Sequence, residues 1–121
     1  FSTDLFRFPG GSSSYSARVK TKVRDAGYAW FDWNTMTGDA QYSFSSDEEM
    51  LEYTLKQTHG KDVIILLMHD GKARTRRILP DLVVYFRENG YEFRQLSTGE
   101  EDREILSRCG AHMMLPDAAQ E

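Results

Sequence analysis

Short apolar or aromatic segments alternate with segments of helical periodicity along this chain. Four segments are predicted to be strands, namely residues 5–8, 28–33, 63–68 and 91–96. The third is apolar throughout, which is typical of a parallel-sheet strand that is covered on both faces. The fourth alternates apolar and polar residues, and we expect it at an edge of the sheet.

Helical periodicity is found between these strands. The first predicted helix has Val19, Val23 and Ala26 on one face. The third covers residues 74–88 and contains Pro80, which is expected either to begin its regular part or to kink it. Its apolar side is formed by Ile78, Leu79, Leu82, Val83 and Phe86.

The start of the second helix is indicated by capping residues. Ser45 with Glu48, and Ser46 with Glu49, form two overlapping capping boxes. A short capped helix is expected from about residue 97 to residue 108, and a loose tail follows it.

The predicted order of elements is therefore βαβαβαβ, and such units join parallel neighbours through right-handed crossovers. The fold class is α/β with a parallel sheet. A chain of 121 residues suits one domain. We expect residues 1–99 to form the α/β unit, with the short helix and the tail in residues 100–121.

Polar side chains follow three of the predicted strands. Arg7 ends the first strand, Asp32 and Asn34 follow the second, and His69 and Asp70 follow the third. In parallel α/β folds the functional groups gather at the carboxyl ends of the strands. We therefore expect these side chains to share one rim.

Composition narrows the classes of function. The net charge of −4 lacks the excess of Lys and Arg that a nucleic-acid partner requires. The longest apolar run is too short to cross a bilayer, and no targeting segment is visible. The start at Phe1 without Met suggests a processed chain or a piece of something longer. A single cysteine, Cys109, excludes an intramolecular disulfide.

Each candidate site residue also has a structural interpretation. His69 fits a hydrogen-bonded histidine at a strand end, or a general acid that is positioned by a carboxylate such as Asp39. Asp39 equally fits a loop-capping aspartate. Arg7 fits a residue that pins a loop, or a fork of donors for a carboxylate or a substrate. Trp33 fits sheet packing or a sugar platform.

The remaining charged and glycine-rich segments do not predict a binding site. Arg74, Arg76 and Arg77 place three cations near a helix start, where they oppose the helix dipole, and the sequence offers no physical reason for them. No His, Asp, Glu or Cys cluster has the spacing of metal ligands. The loop at residues 9–12 lacks the spacing and the lysine of a phosphate-binding loop.

Three motifs in this order resemble one family. They are RFPGG from Arg7, DWN from Asp32 leading to GD at Gly38, and ILLMHD from Ile65. Together they look like the C-terminal half of a polysaccharide deacetylase, a carbohydrate esterase built on a distorted (β/α) barrel. The resemblance spans about residues 4–97.

The resemblance implies hydrolysis of an N- or O-acetyl group on a sugar by a metal-activated water. His69 resembles the general acid that protonates the leaving amine, and Asp39 resembles the carboxylate that tunes it. Leu67 resembles the wall that receives the acetate methyl group. Arg7 resembles the residue that holds the catalytic aspartate, and the backbone of Gly10 resembles the oxyanion donor. The implied substrate-binding positions are Pro9, Gly10, Trp33 and Leu67.

The chain also departs from the family pattern. Gly10 stands where the family often has Tyr, and Ala40 stands where it often has Trp, so a more open groove is expected. The family's metal ligands and base come from an Asp-Asp pair and a His-x-x-x-His motif, and neither occurs in these 121 residues. A divalent metal, zinc, is therefore expected only for the complete fold. This chain would be a fragment, a truncated product or one half of a split barrel, and we expect it neither to bind zinc nor to deacetylate alone.

The implied partner is an acetylated polysaccharide, either a cell-wall glycan or a chitin-like sugar. The missing N-terminal half or a second copy of the chain is the expected protein partner, because half a barrel leaves strand edges uncovered, and a homo-oligomer is expected. The implied location is extracellular or in the cell envelope. The alternatives are a non-catalytic carbohydrate-binding or interaction module, and a small phosphotransfer-type or nucleotide-binding domain, which the absent phosphate loop disfavours.

Overall fold

A computed structural model describes residues 2–115, so the last six residues of the expected tail lie outside the described residues. The chain divides into two compact units. Of the described residues, the first consists of residues 2–32 with residues 95–115, and the second consists of residues 33–94. Residues 95–115 thus group with the N-terminal segment, and the boundary expected near residue 99 remains a prediction.

The described elements are short strands and longer helices. In chain order they are β1 (Leu5–Phe6), α1 (Ala17–Asp25), β2 (Ala29–Phe31), β3 (Thr35–Met36), α2 (Asp47–Lys56), β4 (Leu66–Leu67), α3 (Ala73–Glu88), α4 (Glu100–Ser107) and β5 (Met113–Met114), with one 3₁₀ turn at Ser12–Ser14. The helices follow the predicted ones closely, because helical periodicity and capping are local signals. No helix in residues 2–115 is both long and apolar enough to cross a membrane.

The first unit contains a three-stranded sheet in the order β1-β2-β5. Strand β2 pairs in parallel with β1, with Trp30 opposite Phe6, and antiparallel with β5, with Trp30 opposite Met114. The prediction of a purely parallel sheet is therefore wrong. Phe8 and Phe31 are buried beside Trp30 in this unit.

The expected edge strand at residues 91–96 is absent from the described strands. The Tyr91 and Phe93 rings lie 5.4 Å and 6.3 Å from the Phe86 ring, centroid to centroid. The Tyr91 hydroxyl donates to the carbonyl of Lys61. Tyr91 and Phe93 therefore contact helix α3 through Phe86, so the alternating pattern does not indicate a partner strand here.

The second unit contains a two-stranded parallel sheet of β3 and β4, with Thr35 opposite Leu66. Strand β3 lies outside the four segments that were predicted to be strands, so the sequence analysis missed it. Strand β4 occupies only the centre of the strand predicted at residues 63–68. All six of these residues are half-buried, so the expectation that both faces of the strand are covered is wrong for this chain. The described strands form no closed barrel.

Gln57, at the end of α2, covers the outer edge of β3. Its side-chain oxygen accepts from the Met36 N–H at 3.1 Å, and its amide nitrogen donates to the Met36 carbonyl at 2.7 Å. A side-chain amide thus replaces the backbone partner that an edge strand lacks. Helices α2 and α3 pack around a core of Met50, Ile78, Leu82 and Phe86, and α3 continues through Pro80.

One of the two expected capping boxes forms only in part. Ser46 is the N-cap of α2, and its hydroxyl accepts from the Glu49 N–H at 3.1 Å. The Glu49 carboxylate accepts from the N–H of Ser45 at 3.1 Å, not from that of Ser46. Both serines are therefore used, but each bonds to a different group of Glu49.

Two of the three arginines near the start of α3, Arg74 and Arg77, bind the start of α2. Arg74 Nε donates to Asp47 Oδ1 at 2.9 Å, and Arg77 Nε donates to Asp47 Oδ2 at 2.7 Å. Arg76 donates to the carbonyl of Asp70 at 2.8 Å. The placement of Arg74 and Arg77, which the sequence left unexplained, thus joins two helix N-termini through one aspartate.

Candidate functional site

Asp39 and His69 form a hydrogen-bonded pair in the second unit. His69 Nδ1 lies 2.7 Å from Asp39 Oδ1, and the His69 backbone N–H donates to Asp39 Oδ2 at 2.7 Å. The Thr75 hydroxyl donates to the same Oδ2 at 2.6 Å. Three donors from two segments therefore fix one carboxylate.

The backbone ladder of β3 and β4 explains this placement. The Thr37 N–H donates to the Leu67 carbonyl at 3.1 Å, two residues before Asp39 and His69 respectively. Backbone contacts in such a ladder repeat every second residue, so the His69 N–H would be the next donor from this strand. The Asp39 carboxylate accepts from this N–H in place of a backbone carbonyl. Asp39 therefore also closes the end of a two-stranded ladder, whatever its chemistry.

Asn34 does the same at the other end of the ladder. Its Oδ1 accepts from the Ile65 N–H at 3.0 Å, and its Nδ2 donates to the Val63 carbonyl at 2.7 Å. The expectation that Asn34 contributes to a functional rim is therefore wrong, because its amide is used by backbone groups of the neighbouring strand.

Gly38 allows the turn that presents Asp39. Its φ of +73° lies in the left-handed region that side chains with a Cβ rarely adopt. A Cβ here would lie 2.8 Å from Tyr42 Cδ2 and 3.1 Å from Tyr53 Cε1. Backbone conformation and ring packing together require glycine before Asp39.

Burial and hydrogen bonding act in opposite directions on Asp39. Burial of this side chain, which is 4% exposed, would by itself raise the pKa of Asp39. Hydrogen bonds from Thr75 and from the backbone and ring of His69 oppose it, and on balance the pKa of Asp39 lies below its ordinary value of 3.8. Asp39 is therefore a carboxylate at neutral pH.

The charge of Asp39 fixes the proton on the imidazole. An ionised carboxylate only accepts hydrogen bonds, so His69 Nδ1 must carry the proton that it shares with Asp39. The other ring nitrogen, Nε2, then remains for proton exchange. The His69 side chain is 41% exposed, so a ligand or water can approach it.

The other expected site residues of the second unit are half-buried. Leu67 lies in β4, and Trp33 lies just before β3. The exposed Asp70 provides only its backbone carbonyl to a described hydrogen bond. Thr75, which binds Asp39, had no role in the sequence analysis, because a hydroxyl in a helical turn carries no signal for a partner 36 residues away.

Arg7, Pro9 and Gly10 belong to the first unit. Arg7 is exposed, the Pro9 carbonyl accepts from the Tyr15 hydroxyl at 3.1 Å, and Gly10 has a φ of +77°. A rim shared by Arg7, Asp39 and His69 therefore remains a prediction.

Asp32 secures the loop that follows these residues in the first unit. Its Oδ1 accepts from the Ser12 N–H at 2.9 Å, and its Oδ2 accepts from the Ser12 hydroxyl at 2.6 Å. Both carboxylate oxygens are thus used to hold the 3₁₀ turn at Ser12–Ser14, which begins two residues after Gly10.

An open cleft adjoins Asp39 in the second unit. Its volume is about 320 Å³, and its lining residues include Asp39, Tyr42, Ser43, Lys72, Arg74 and Arg77. The sequence analysis missed it, because its residues come from three segments with no common motif. The cleft joins an aromatic ring and three cations to the carboxylate that binds His69.

The described residues do not fit a divalent metal. Within residues 2–115, no group of three His, Cys, Asp or Glu side chains lies close enough to hold an ion. Asp39 and His69 supply two such groups, but their facing atoms are already hydrogen-bonded to each other.

Two solved structures are similar to this chain. The catalytic domain of a peptidoglycan N-acetylglucosamine deacetylase from Eubacterium rectale ATCC 33656 has a TM-score of 0.71 and 28% sequence identity, over 78% of this chain and 47% of that one. A Streptococcus mutans CE4 esterase has a TM-score of 0.67 and 27% identity, over 78% of this chain and 44% of that one. No family model matches the chain. No curated protein matches it.

These similarities show a polysaccharide deacetylase-like α/β fold. The chain spans less than half the length of each of the two solved chains.

Proposed function

We propose that this chain supplies the proton-donating part of a carbohydrate deacetylase site, which hydrolyses acetyl groups on sugar residues. The observation that carries the proposal is the contact between His69 Nδ1 and the buried Asp39 carboxylate at 2.7 Å. The deacetylase and esterase names of the two similar structures support the same reaction class.

His69 has a defined role in this reaction. Water adds to the acetyl carbonyl carbon, and the tetrahedral intermediate collapses as the carbon–nitrogen bond breaks. A base outside these residues accepts a proton from that water, and the leaving amine takes a proton from Nε2 of a doubly protonated His69, so the products are acetate and a free amino sugar. Asp39 keeps the ring oriented and its proton on Nδ1, so Nε2 is the nitrogen that faces the leaving group.

The remaining site residues keep the roles that the resemblance implies, as part of the proposal. Leu67 would form the wall for the acetate methyl group, and Trp33 and Pro9 would contact the sugar. The backbone of Gly10 would donate to the oxyanion, and Arg7 would orient a catalytic aspartate outside this chain.

The proposal extends to the complete fold. This chain would correspond to the C-terminal half, and a missing N-terminal half or a second copy would complete the site. Zinc would be held by ligands that these residues do not provide. The substrate would be an acetylated cell-wall glycan or a chitin-like sugar, outside the cell or in its envelope. These points rest on the motifs and on the partial coverage of the similar structures.

A chimera would test the proposal. The N-terminal half of the Eubacterium rectale catalytic domain is joined to residues 1–121, and acetate release from an N-acetylated chito-oligosaccharide is measured. We expect release, and a loss of about 10²- to 10⁴-fold in His69→Ala. His59→Ala is the matched control, because His59 is also exposed but lies beyond helix α2, and it should keep full activity. A folded chimera without acetate release, or with equal activity after His69→Ala, would contradict the proposal.

A second candidate function is a non-catalytic carbohydrate-binding module. The cleft of about 320 Å³ beside Asp39 favours it, because binding there needs only side chains that this chain has. Saccharide binding by the chain, together with a folded but inactive chimera, would support this candidate over the first.

A further inference from the structure

Thr75 directs its hydroxyl away from its own helix, α3. A threonine within a helix can donate to a backbone carbonyl of the preceding turn, as Thr54 does to the Met50 carbonyl at 2.8 Å. The Thr75 hydroxyl instead donates to Asp39 Oδ2 at 2.6 Å, 36 residues away in the sequence. Because a hydroxyl has a single proton, Thr75 donates to Asp39 in place of its own backbone.

The contact with Thr75 fixes the rotation of the Asp39 carboxylate. Oδ2 accepts from the Thr75 hydroxyl at 2.6 Å and from the His69 backbone N–H at 2.7 Å. Oδ1 accepts the proton of His69 Nδ1, at 2.7 Å between the heavy atoms. Rotation of the carboxylate would break short hydrogen bonds to an ionised group, which are stronger than those between neutral groups. Thr75 therefore helps to keep Oδ1 directed at the imidazole.

Helix α3 gives Thr75 a fixed position. Thr75 is buried, and Ile78 and Leu82, on the turns that follow, belong to the core of this unit. Asp39 and His69 lie outside the described helices and strands, each shortly after a strand of two residues. A functional side chain is held more precisely when a packed regular element supports it. Through Thr75, the helix provides that support for two residues that lie in loops.

We propose that Thr75 is a positioning residue for the proposed reaction: through Asp39, it holds the His69 ring in the orientation in which Nε2 donates to the leaving amine. Thr75 is buried and its proton is used by Asp39, so it acts on the pair and not on the substrate. This inference rests on the proposed function and adds a residue to which the family resemblance assigned no role.

The same hydrogen bond helps to keep Asp39 ionised. Burial raises the pKa of Asp39, and the hydrogen bond from Thr75 is the strongest of the effects that lower it, ahead of those from His69. The other charged groups on the cleft that Asp39 lines are the cations Lys72, Arg74 and Arg77. These cations are unchanged in the variants that follow, so a change in the pKa of Asp39 would report the loss of the Thr75 hydroxyl.

Four variants isolate the hydroxyl. Thr75→Val and Thr75→Ala both remove it, with and without the branched shape of the side chain, whereas Thr75→Ser keeps it. Thr54→Val is the matched control, because Thr54 is also a buried helical threonine but its hydroxyl donates within α2. NMR of the purified chain then follows the imidazole nitrogens of His69 and the carboxyl carbon of Asp39, and this measurement requires no turnover.

The expected spectra differ between the variants. In Thr75→Val and Thr75→Ala, the preference for a proton on His69 Nδ1 should weaken, and the pKa of Asp39 should rise, because the carboxylate has lost a donor. Thr75→Ser and Thr54→Val should keep both properties of the unmodified chain. Spectra of folded Thr75→Val or Thr75→Ala that match those of Thr54→Val, or a change in Thr75→Ser as large as in Thr75→Ala, would overturn the proposal.

Kinetics of the deacetylase chimera test the consequence for the reaction. Thr75→Val should lower kcat about 10-fold, because a misplaced donor protonates the amine less efficiently, and should leave KM unchanged, because Thr75 does not contact the substrate. Thr75→Ser should restore kcat, and Thr54→Val should not change it. An equal loss of kcat in Thr75→Val and Thr54→Val would overturn the positioning role.

The two measurements separate this inference from the proposed function. A His69 ring that depends on the Thr75 hydroxyl in the purified chain, together with a folded but inactive chimera, would support the positioning of the ring and contradict the deacetylase reaction. An active chimera that depends on His69 but keeps its full kcat in Thr75→Val would instead support the proposed function and overturn the role of Thr75.

Discussion

Gly38 is the residue on which the position of Asp39 most directly depends. Gly38→Ala should lower the free energy of unfolding by about 2–4 kcal/mol, because left-handed backbone strain and a contact with the Tyr42 ring add together. Gly60→Ala is the matched control, since Gly60 has a similar φ of +76° but a Cβ there would meet no atom within 4 Å. It should cost only the backbone strain, about 1–2 kcal/mol. Equal losses in urea denaturation would show that the Tyr42 contact has no effect.

Asp39 should make stability depend on pH. Its pKa in the folded chain lies below the ordinary value of 3.8, so its contribution is present above that value and is lost as the pH falls through the lower, folded pKa. Asp39→Asn should therefore cost about 1–3 kcal/mol at neutral pH and less in acid. Urea denaturation of both proteins across this range measures the difference, with the exposed Asp62→Asn as the control. A difference that does not change with pH would contradict the assigned hydrogen bonds.

At the scale of residues, the sequence indicated candidate site residues better than it indicated their hydrogen-bond partners. The candidates His69 and Asp39 followed from the end of an apolar run and from the family resemblance, and the structure places them 2.7 Å apart. Asn34 and Asp32 looked similar in sequence, but both bind backbone groups of distant segments. A polar residue after a strand can belong to a functional site or can bind backbone groups. Which of the two occurs depends on the segments that lie next to it in the fold.

At the scale of elements, one aspartate joins the N-termini of α2 and α3. The hydrogen bonds from Arg77 have the largest effect on the pKa of Asp47, burial opposes them, and those from Arg74 add to them, so that the pKa lies at about 2. Asp47→Asn should therefore lower stability at neutral pH, and this loss should disappear as the pH falls from about 3.8 through about 2.

The dependence of stability on salt tests whether Asp47 acts through its ion pairs with Arg74 and Arg77. Asp47 and both arginines are partly exposed, so added salt should reduce the effect of Asp47→Asn on the melting temperature. Asp25→Asn is the control, because Asp25 pairs only with its chain neighbour Arg24 and should have little effect. A loss of stability that is unchanged by salt would contradict the ion-pair interpretation.

Helices were more predictable than strands for a physical reason. Periodicity and the Ser46 cap are contained within α2, and α3 follows its apolar face from Ala73 to Glu88. Strands β3 and β5 are two residues long and depend on pairing with distant segments. Residues 91–96 alternate like a strand, but Tyr91 and Phe93 contact Phe86 of helix α3, so no local pattern could separate the two outcomes.

At the scale of the whole molecule, apolar surface suggests association. Exposed large hydrophobic residues occur in both units, among them Phe6, Tyr28, Val84 and Phe93. Association would cover such groups, so we expect a dimer or larger assembly at micromolar concentration. Light scattering coupled to size-exclusion chromatography measures the mass directly. A single species at 14.0 kDa would contradict this prediction.

The fold of the whole molecule was predicted in class but not in connectivity. The deacetylase-like α/β fold agrees with the resemblance seen in the three motifs. The mixed sheet did not follow from the sequence, because a strand order and a direction depend on which segments meet in space. The position of His69 was more predictable than the strand order, since the ILLMHD motif places it directly after the strand predicted at residues 63–68.

The protonation of the His69 ring tests the central claim most directly. In ¹⁵N-labelled protein, the imidazole nitrogens of His69 are assigned by NMR at a pH where the ring is neutral. The account predicts a proton on Nδ1, shared with Asp39, and none on Nε2, with this preference weakened in Asp39→Asn. A proton on Nε2 and a bare Nδ1 in the unmodified chain would contradict it.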